Sequence, residues 1–185
     1  MKKLLIGAIV GGIILFIWQF LSWTVLNLHN NAYQYTDKQD AIMSALSSQI
    51  EKEGQYMIPG LPATATKEQH EEFMKTQAGK PWALVQYQQS RDMNMGANMI
   101  RGLIVDMLII GFFCALISRM NALNFTAIFI SSLFVGLIVF FNIPYTNHIW
   151  FKGFDLMAYF TDCLVSWGLA GIWLGWLYGK KKAKA

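Results

Sequence analysis

The sequence predicts an all-α membrane protein: a four-transmembrane-helix bundle with a small α+β extracytoplasmic cap between helices 1 and 2. Three observations predict it. Four stretches of mostly apolar residues recur along the chain, each close to the roughly 20 residues that a helix needs to cross a bilayer. Of 185 residues, 55% are hydrophobic and 14% charged, whereas a soluble domain carries about 25% charged residues. The long polar stretch between the first two apolar segments holds helix and strand signals rather than low-complexity sequence. The expected division is residues 1–27 for the first helix, 28–98 for the cap, and 99–185 for three further helices with a short basic tail.

The first span is expected over residues 4–26, "LLIGAIVGGIILFIWQFLSWTVL". Its apolar run exceeds the roughly 7–15 residues of a signal-peptide core and shows no small-x-small cleavage site, so it reads as a retained helix. Trp18 and Trp23 near its far end suit a membrane interface. The second span covers 99–118 and contains Asp106. The third covers 123–141 and is expected to stop at Pro144, which cannot donate a helix hydrogen bond. Tyr145, Trp150 and Phe151 follow as interfacial aromatics. The fourth runs over 156–179 and contains Asp162.

Between the first two spans, Thr36-x-x-Gln39 and Thr66-x-x-Gln69 have the capping-box pattern, which predicts helices over 37–51 and from 66 to about 76. "GQYMIPG" reads as a strand closed by a turn at Pro59-Gly60, and "PWALVQYQ", residues 81–88, as a second strand. A cap this small gains little core of its own.

Orientation follows from the distribution of Lys and Arg. With the N-terminus inside, the cytoplasmic pieces hold Lys2, Lys3, Arg119, Lys180, Lys181, Lys182 and Lys184, giving +7. Residues 27–98 hold six basic side chains and eight acidic ones, so 6 − 8 = −2. The reading is a bacterial inner-membrane protein with both termini cytoplasmic and residues 28–98 outside. The lipid bilayer is its first partner, and the basic tail anchors the topology.

Small residues four apart let membrane helices approach closely. Gly7 and Gly11 have that spacing in the first span, as do Gly171, Gly175 and Gly179, with Gly168 beside them, in the last. Partners within the chain and in another subunit are both open. A second pattern is polar. Counting about 1.5 Å per residue from the outer helix ends, Gln19, Ser22, Asp106, Thr161 and Asp162 fall in one band in the outer third of the membrane, with Arg101 above it. A carboxylate at that depth must be paired, hydrated or neutral. Pairing with Arg101 or Lys152, a proton shared between Asp106 and Asp162, and a hydrated cavity are the three outcomes.

Other chemistry is sparse. His29, His148 and Asp155 lie near the outer surface and can supply metal-ligand atoms, without a local spacing motif. His70 falls in a polar helix, and Met93, Met95 and Met99 cluster at the outer surface, where thioethers can bind Cu(I) but also serve as ordinary lipid-facing residues, the preferred reading. Cys114 and Cys163 fall in apolar segments and read as small buried hydrophobes. No Walker loop, dinucleotide fingerprint, hydrolase triad or zinc-protease motif is present. No cofactor and no nucleic-acid partner are expected, and an enzymatic role is disfavoured.

"SWTVLNLHNNA", "GQYMIP" and "SWGLAGIWLGWL" together resemble an uncharacterised family of small bacterial four-span inner-membrane proteins. The resemblance implies four spans and transfers no catalytic residue. Residues 62–80 have no counterpart in it. The first functional expectation is an accessory or scaffold subunit of a bacterial membrane assembly, joined to other subunits or to itself. The alternative is a small transporter or ligand-binding membrane protein using the Asp106/Asp162 layer.

Overall fold

The computed structural model describes residues 1–91, 93–120 and 123–179. The basic tail at 180–185 and Asp92, both used in the orientation argument, lie outside the described residues. The chain is mostly helical, with four helices long and apolar enough to cross a membrane and a two-stranded sheet. It divides into two compact units, Met1–Tyr35 with Asn94–Ala185, and Thr36–Met93.

In the larger unit the first long helix is α1, Lys2–Phe20, which continues through a π-helical turn at Leu21–Val25. Asn27 then adopts a left-handed conformation, φ 52°. Asparagine tolerates that region better than most residues, and it turns the chain out of the helix direction.

The smaller unit contributes α2, Gln39–Gln49, and α3, Lys67–Gln77, and the next helix of the larger unit is α4, Met95–Ile117. It starts before the expected residue 99 because the Asn94 side chain accepts a hydrogen bond from Ala97 N–H and so caps an earlier turn. Asn124 caps α5, Phe125–Phe140, in the same way.

Pro144 does not stop the third helical stretch. A π-helical turn at Phe141–Tyr145 carries the chain past it into α6, Thr146–Trp150. The wider turn moves the preceding carbonyls away from the proline ring. The Thr146 hydroxyl donates to Phe141 O at 2.8 Å, satisfying one of them. The last helix, α7, is Leu156–Tyr178 with Gly179 at its C-cap.

Helix α1 packs on α4 and α7, and α5 packs on α7. The fully buried centre is Ile110, Cys114, Ile117, Ile128, Ala170 and Leu174. The glycines set the seams. A Cβ on Gly12 would lie 2.6 Å from Met107 Cα, and one on Gly11 2.7 Å from Ile110 Cγ2. Gly7 faces Cys114, Gly171 faces Ser132, and Gly175 and Gly179 face Phe125, while Gly168 touches only the edge of Leu133. Ser132 donates its hydroxyl to Trp167 O, tying α5 to α7. At the C-terminal end of α7, Lys3 Nζ donates to Leu177 O at 3.1 Å, a cation at a helix C-terminus, where the dipole favours one. Outward faces of the helices are exposed and apolar, as at Phe112, Leu116, Ile138 and Ile172, the reverse of a bundle that faces water.

The smaller unit holds α2 (Gln39–Gln49), β1 (Gly54–Ile58), α3 (Lys67–Gln77) and β2 (Ala83–Tyr87). The strands pair antiparallel, Gly54 opposite Tyr87 and Ile58 opposite Ala83. Gln89 fastens their open end, its N–H donating to Glu53 and its side chain to Glu51 O. At α3 both arms of the Thr66 capping box close. At α2 they do not: the helix begins two residues later than expected, and the Thr36 hydroxyl instead accepts from Lys38 N–H.

Candidate functional site

The polar residues of the larger unit gather where α1 ends and α7 begins. Asp162 lies in α7, two turns in from Asp155, which is the α7 N-cap residue. The left-handed turn at Asn27 places His29 against both. His29 Nδ1 lies 2.7 Å from Asp155 Oδ2, and Nε2 lies 2.9 Å from Asp162 Oδ2. Trp18 Nε1–H donates to the other Asp162 oxygen at 3.0 Å. The imidazole lies flat on Trp23, with ring centroids 3.9 Å apart and planes 3° from parallel. Tyr159 meets it edge-on. His29 is 4% exposed.

The proton count of this cluster follows from its geometry. Each ring nitrogen faces a carboxylate oxygen, and two lone pairs at such distances repel, so each contact needs a proton. Two protons are therefore shared among His29, Asp155 and Asp162, either as an imidazolium between two carboxylates or as an imidazole with one protonated acid. Both arrangements carry a net charge of −1, since one positive and two negative charges sum to that value.

Next to the cluster a cleft of about 340 Å³ opens among α1, α4, α7 and the π-helical turn before α6. Asp106, Gln19 and Asp162 line it, together with the aromatic side chains of Trp23, Tyr159 and Trp167. Gln19 Nε2–H donates to Asp106 Oδ1 at 3.1 Å. Asp106 is 3% exposed, and its Oδ2 has no hydrogen-bond partner among the described residues. Charged groups placed in such surroundings interact more strongly than in water.

Of the residues read as one polar band, Gln19, Asp106 and Asp162 line this single cleft. The others do not join. Ser22 is buried, and its hydroxyl has no partner among the described residues. Thr161 donates back to Met157 O in its own helix. Arg101 is exposed, and among the described residues neither it nor Lys152 forms a salt bridge with Asp106 or Asp162. Five residues along a helix is more than a full turn, so Arg101 and Asp106 point to different sides.

The residues read as metal ligands behave differently from that expectation. His29 and Asp155 do meet, but both ring nitrogens of His29 are occupied by carboxylates. His148 Nδ1 faces Gly153 O at 3.1 Å, and a carbonyl only accepts, so that nitrogen carries hydrogen. Among the described residues no group of three His, Cys, Asp or Glu side chains could hold a metal ion. Trp18 and Trp23, read from sequence as interfacial anchors, also contact Asp162 and His29. Their spacing from "LNLH" is the one signal that ties them to the histidine.

Comparison with family models, with curated proteins and with solved structures finds no match for this chain.

Proposed function

We propose that this chain is a multi-pass bacterial inner-membrane protein that binds, and as a small transporter carries, a small cation with an apolar body in the Asp106/Asp162 cleft. Its four long helices cross the bilayer, both termini are cytoplasmic, and the cleft lies in the outer half of the membrane. The observation that carries the reading is the buried, unpartnered Asp106 Oδ2 on the cleft wall. A polar atom in that position is costly unless something visits it. Among the described residues no lysine or arginine lines the cleft, so an anion would meet two carboxylates with no counter-charge on the wall. Tyr159 and Trp167 add aromatic rings to the wall, a kind of surface that attracts cations, while Trp23 is stacked on His29. Apolar walls with a few convergent polar groups are the usual make-up of a small-molecule site. The glycines that suggested a subunit contact are largely taken up by helix seams within the chain, which is why an accessory-subunit role comes second.

Equilibrium binding of benzyltrimethylammonium to the purified protein in detergent tests this. Asp106→Asn keeps the shape and the Gln19 contact but removes the charge. Affinity is expected to fall at least tenfold, about 1.4 kcal/mol, without loss of thermal stability. Equal binding by wild type and Asp106→Asn would sink the cation reading. A loss of stability alone, with no binding to wild type, would make Asp106 an architectural residue that fixes helix register.

A further inference from the structure

The cleft has a neighbour. A second, smaller cleft of about 250 Å³ is lined by Asp155, His148, Asn147, Phe151 and Gly153, and shares Ile143, Pro144 and Tyr159 with the first. Asp162 lies on one side of that shared wall and Asp155 on the other. His29 is hydrogen-bonded to both. One imidazole ring therefore connects a carboxylate of the cation cleft with a carboxylate of a separate cleft.

We infer that cation entry at Asp106 and Asp162 drives one proton off His29 toward Asp155 and out through the second cleft, so that cation and proton occupancy exclude each other. This rests on the cation reading of the first cleft. With the first of the two proton placements, the imidazolium in the empty state is the positive charge shared by Asp155 and Asp162. A cation seated against Asp162 supplies that charge and repels the protonated ring. The Nδ1–H bond breaks, its electron pair stays on Nδ1, and the proton forms an O–H bond on Asp155 before passing to water. Nε2–H remains, donating to Asp162. The bare Nδ1 then faces a carboxylate oxygen, and that contact opens. Charge balances: one cation enters, one proton leaves, and the three groups pass from net −1 to net −2 beside the bound cation.

The groups facing His29 fit this assignment. From α7 come Asp155, Asp162 and Tyr159, with Tyr33 acting on Tyr159. From α1 and its π-helical turn come Trp18 and Trp23, which do not titrate in this range. His148 is the other titratable side chain on the second cleft, with its Nδ1–H committed to Gly153 O. Asp106 faces the cation cleft from α4. Among the described residues no lysine or arginine lines either cleft to take over the role of the imidazolium.

The test uses benzyltrimethylammonium, which carries no proton of its own, added to wild-type protein in weakly buffered detergent solution with a pH-indicating dye. About one proton released per cation bound is expected, together with a tenfold gain in affinity per unit rise in pH across the range of release. Nitrogen-15 spectra of the three labelled histidines identify the source. His29 is expected to pass from two protonated ring nitrogens to one, while His70 and His148 stay unchanged. His29→Gln is expected to abolish the release. Binding without proton release, release with unchanged His29 signals, or full release from His29→Gln each overturn the inference while leaving the cation site standing. Failure of wild type to bind the cation removes the underlying reading instead. If His29→Gln does not fold, the wild-type spectra alone decide.

Discussion

Along its first half α1 offers Gly7, Gly11 and Gly12 to its neighbours, and carbon and sulfur of Met107, Ile110, Cys114 and Leu174 fill the seam. Along its last turns it offers Trp18, Gln19, Ser22 and Trp23, and the seam opens into the carboxylate-lined cleft. The same pair of helices, α1 and α4, is thus closed by the smallest residues at one end and joined by a polar contact, Gln19 to Asp106, at the other. The glycine end is stabilised by many weak contacts, each small alone. The polar end depends on a few strong contacts, and each of its groups is costly without its partner. The difference predicts where the chain is fragile and to what kind of change.

The largest effect is expected at the polar end. His29→Ala removes the one group that separates Asp155 from Asp162 and leaves both carboxylates with no positive partner. Breaking a buried ion pair on one side costs about 3–5 kcal/mol, and His29 sits between two such partners. Unfolding in mixed detergent micelles, followed by tryptophan emission, measures it. Adding Asp162→Asn to His29→Ala should recover part of the loss, because the second change discharges one orphaned acid. If His29→Ala costs less than about 1 kcal/mol, the cluster is solvated and the contrast between the two ends disappears.

The two ends also differed in how far the sequence revealed them. The four long helices were legible because composition and length suffice to find them, and Asp106, Gln19 and Asp162 were brought to one level by the 1.5 Å rise alone. That rise says nothing once a helix ends. His29 lies beyond Val25, past a π-helical turn and a left-handed Asn27, so its return to Asp155 and Asp162 could not be counted out along a helix. The reading of His29 with His148 came from proximity to a surface rather than from a fold-back. Pro144 was misjudged for a related reason: its usual effect is to end a helix, and only the local π-helical geometry lets the chain pass. Charge alone makes Arg101 a partner for Asp162 across helices, but the helix turns it to the exposed face. The glycine seams needed no such detail, since spacing of four was enough to suggest close approach, though it could not name the facing helix.

A smaller effect of definite sign is expected at the glycine end. Gly12→Ala puts a Cβ against the Met107 backbone, 2.6 Å from Cα and 2.7 Å from N. Neither helix backbone can yield as a flexible side chain would, and overpacking of this sort costs about 1–3 kcal/mol. Gly111→Ala is the counterpart on the same seam, because its Cβ would meet Ala8 Cβ at an ordinary 3.6 Å. Alanine favours a helix over glycine by roughly 0.5–1 kcal/mol, so Gly111→Ala should be neutral or stabilising. Opposite signs for these two substitutions in the same unfolding assay support the close seam. Equal and small effects would mean that α1 and α4 stand further apart than the structure has them.

The smallest effect belongs to the unit Thr36–Met93, where one sequence pattern occurs twice with different outcomes. The Thr66 hydroxyl oxygen accepts from Gln69 N–H and the Gln69 side-chain oxygen accepts from Thr66 N–H, so two otherwise orphaned donors are satisfied. Thr36 closes no such box. Thr66→Ala should therefore cost about 1 kcal/mol, the usual value of an N-cap hydroxyl, and Thr36→Ala clearly less. A titration adds a local readout. The Glu68 carboxyl is held below its ordinary value, first by its backbone hydrogen bond and then by the Thr66 side chain. A carboxyl lowered on folding contributes stability above its unfolded value and loses it as pH falls through the folded one. Thr66→Ala should move the Glu68 titration upward, toward the ordinary carboxylate range, and Thr36→Ala should leave it in place. Carboxyl carbon-13 shifts of labelled glutamate follow both. An unchanged Glu68 curve in Thr66→Ala would mean that the hydroxyl cap contributes nothing to holding that charge.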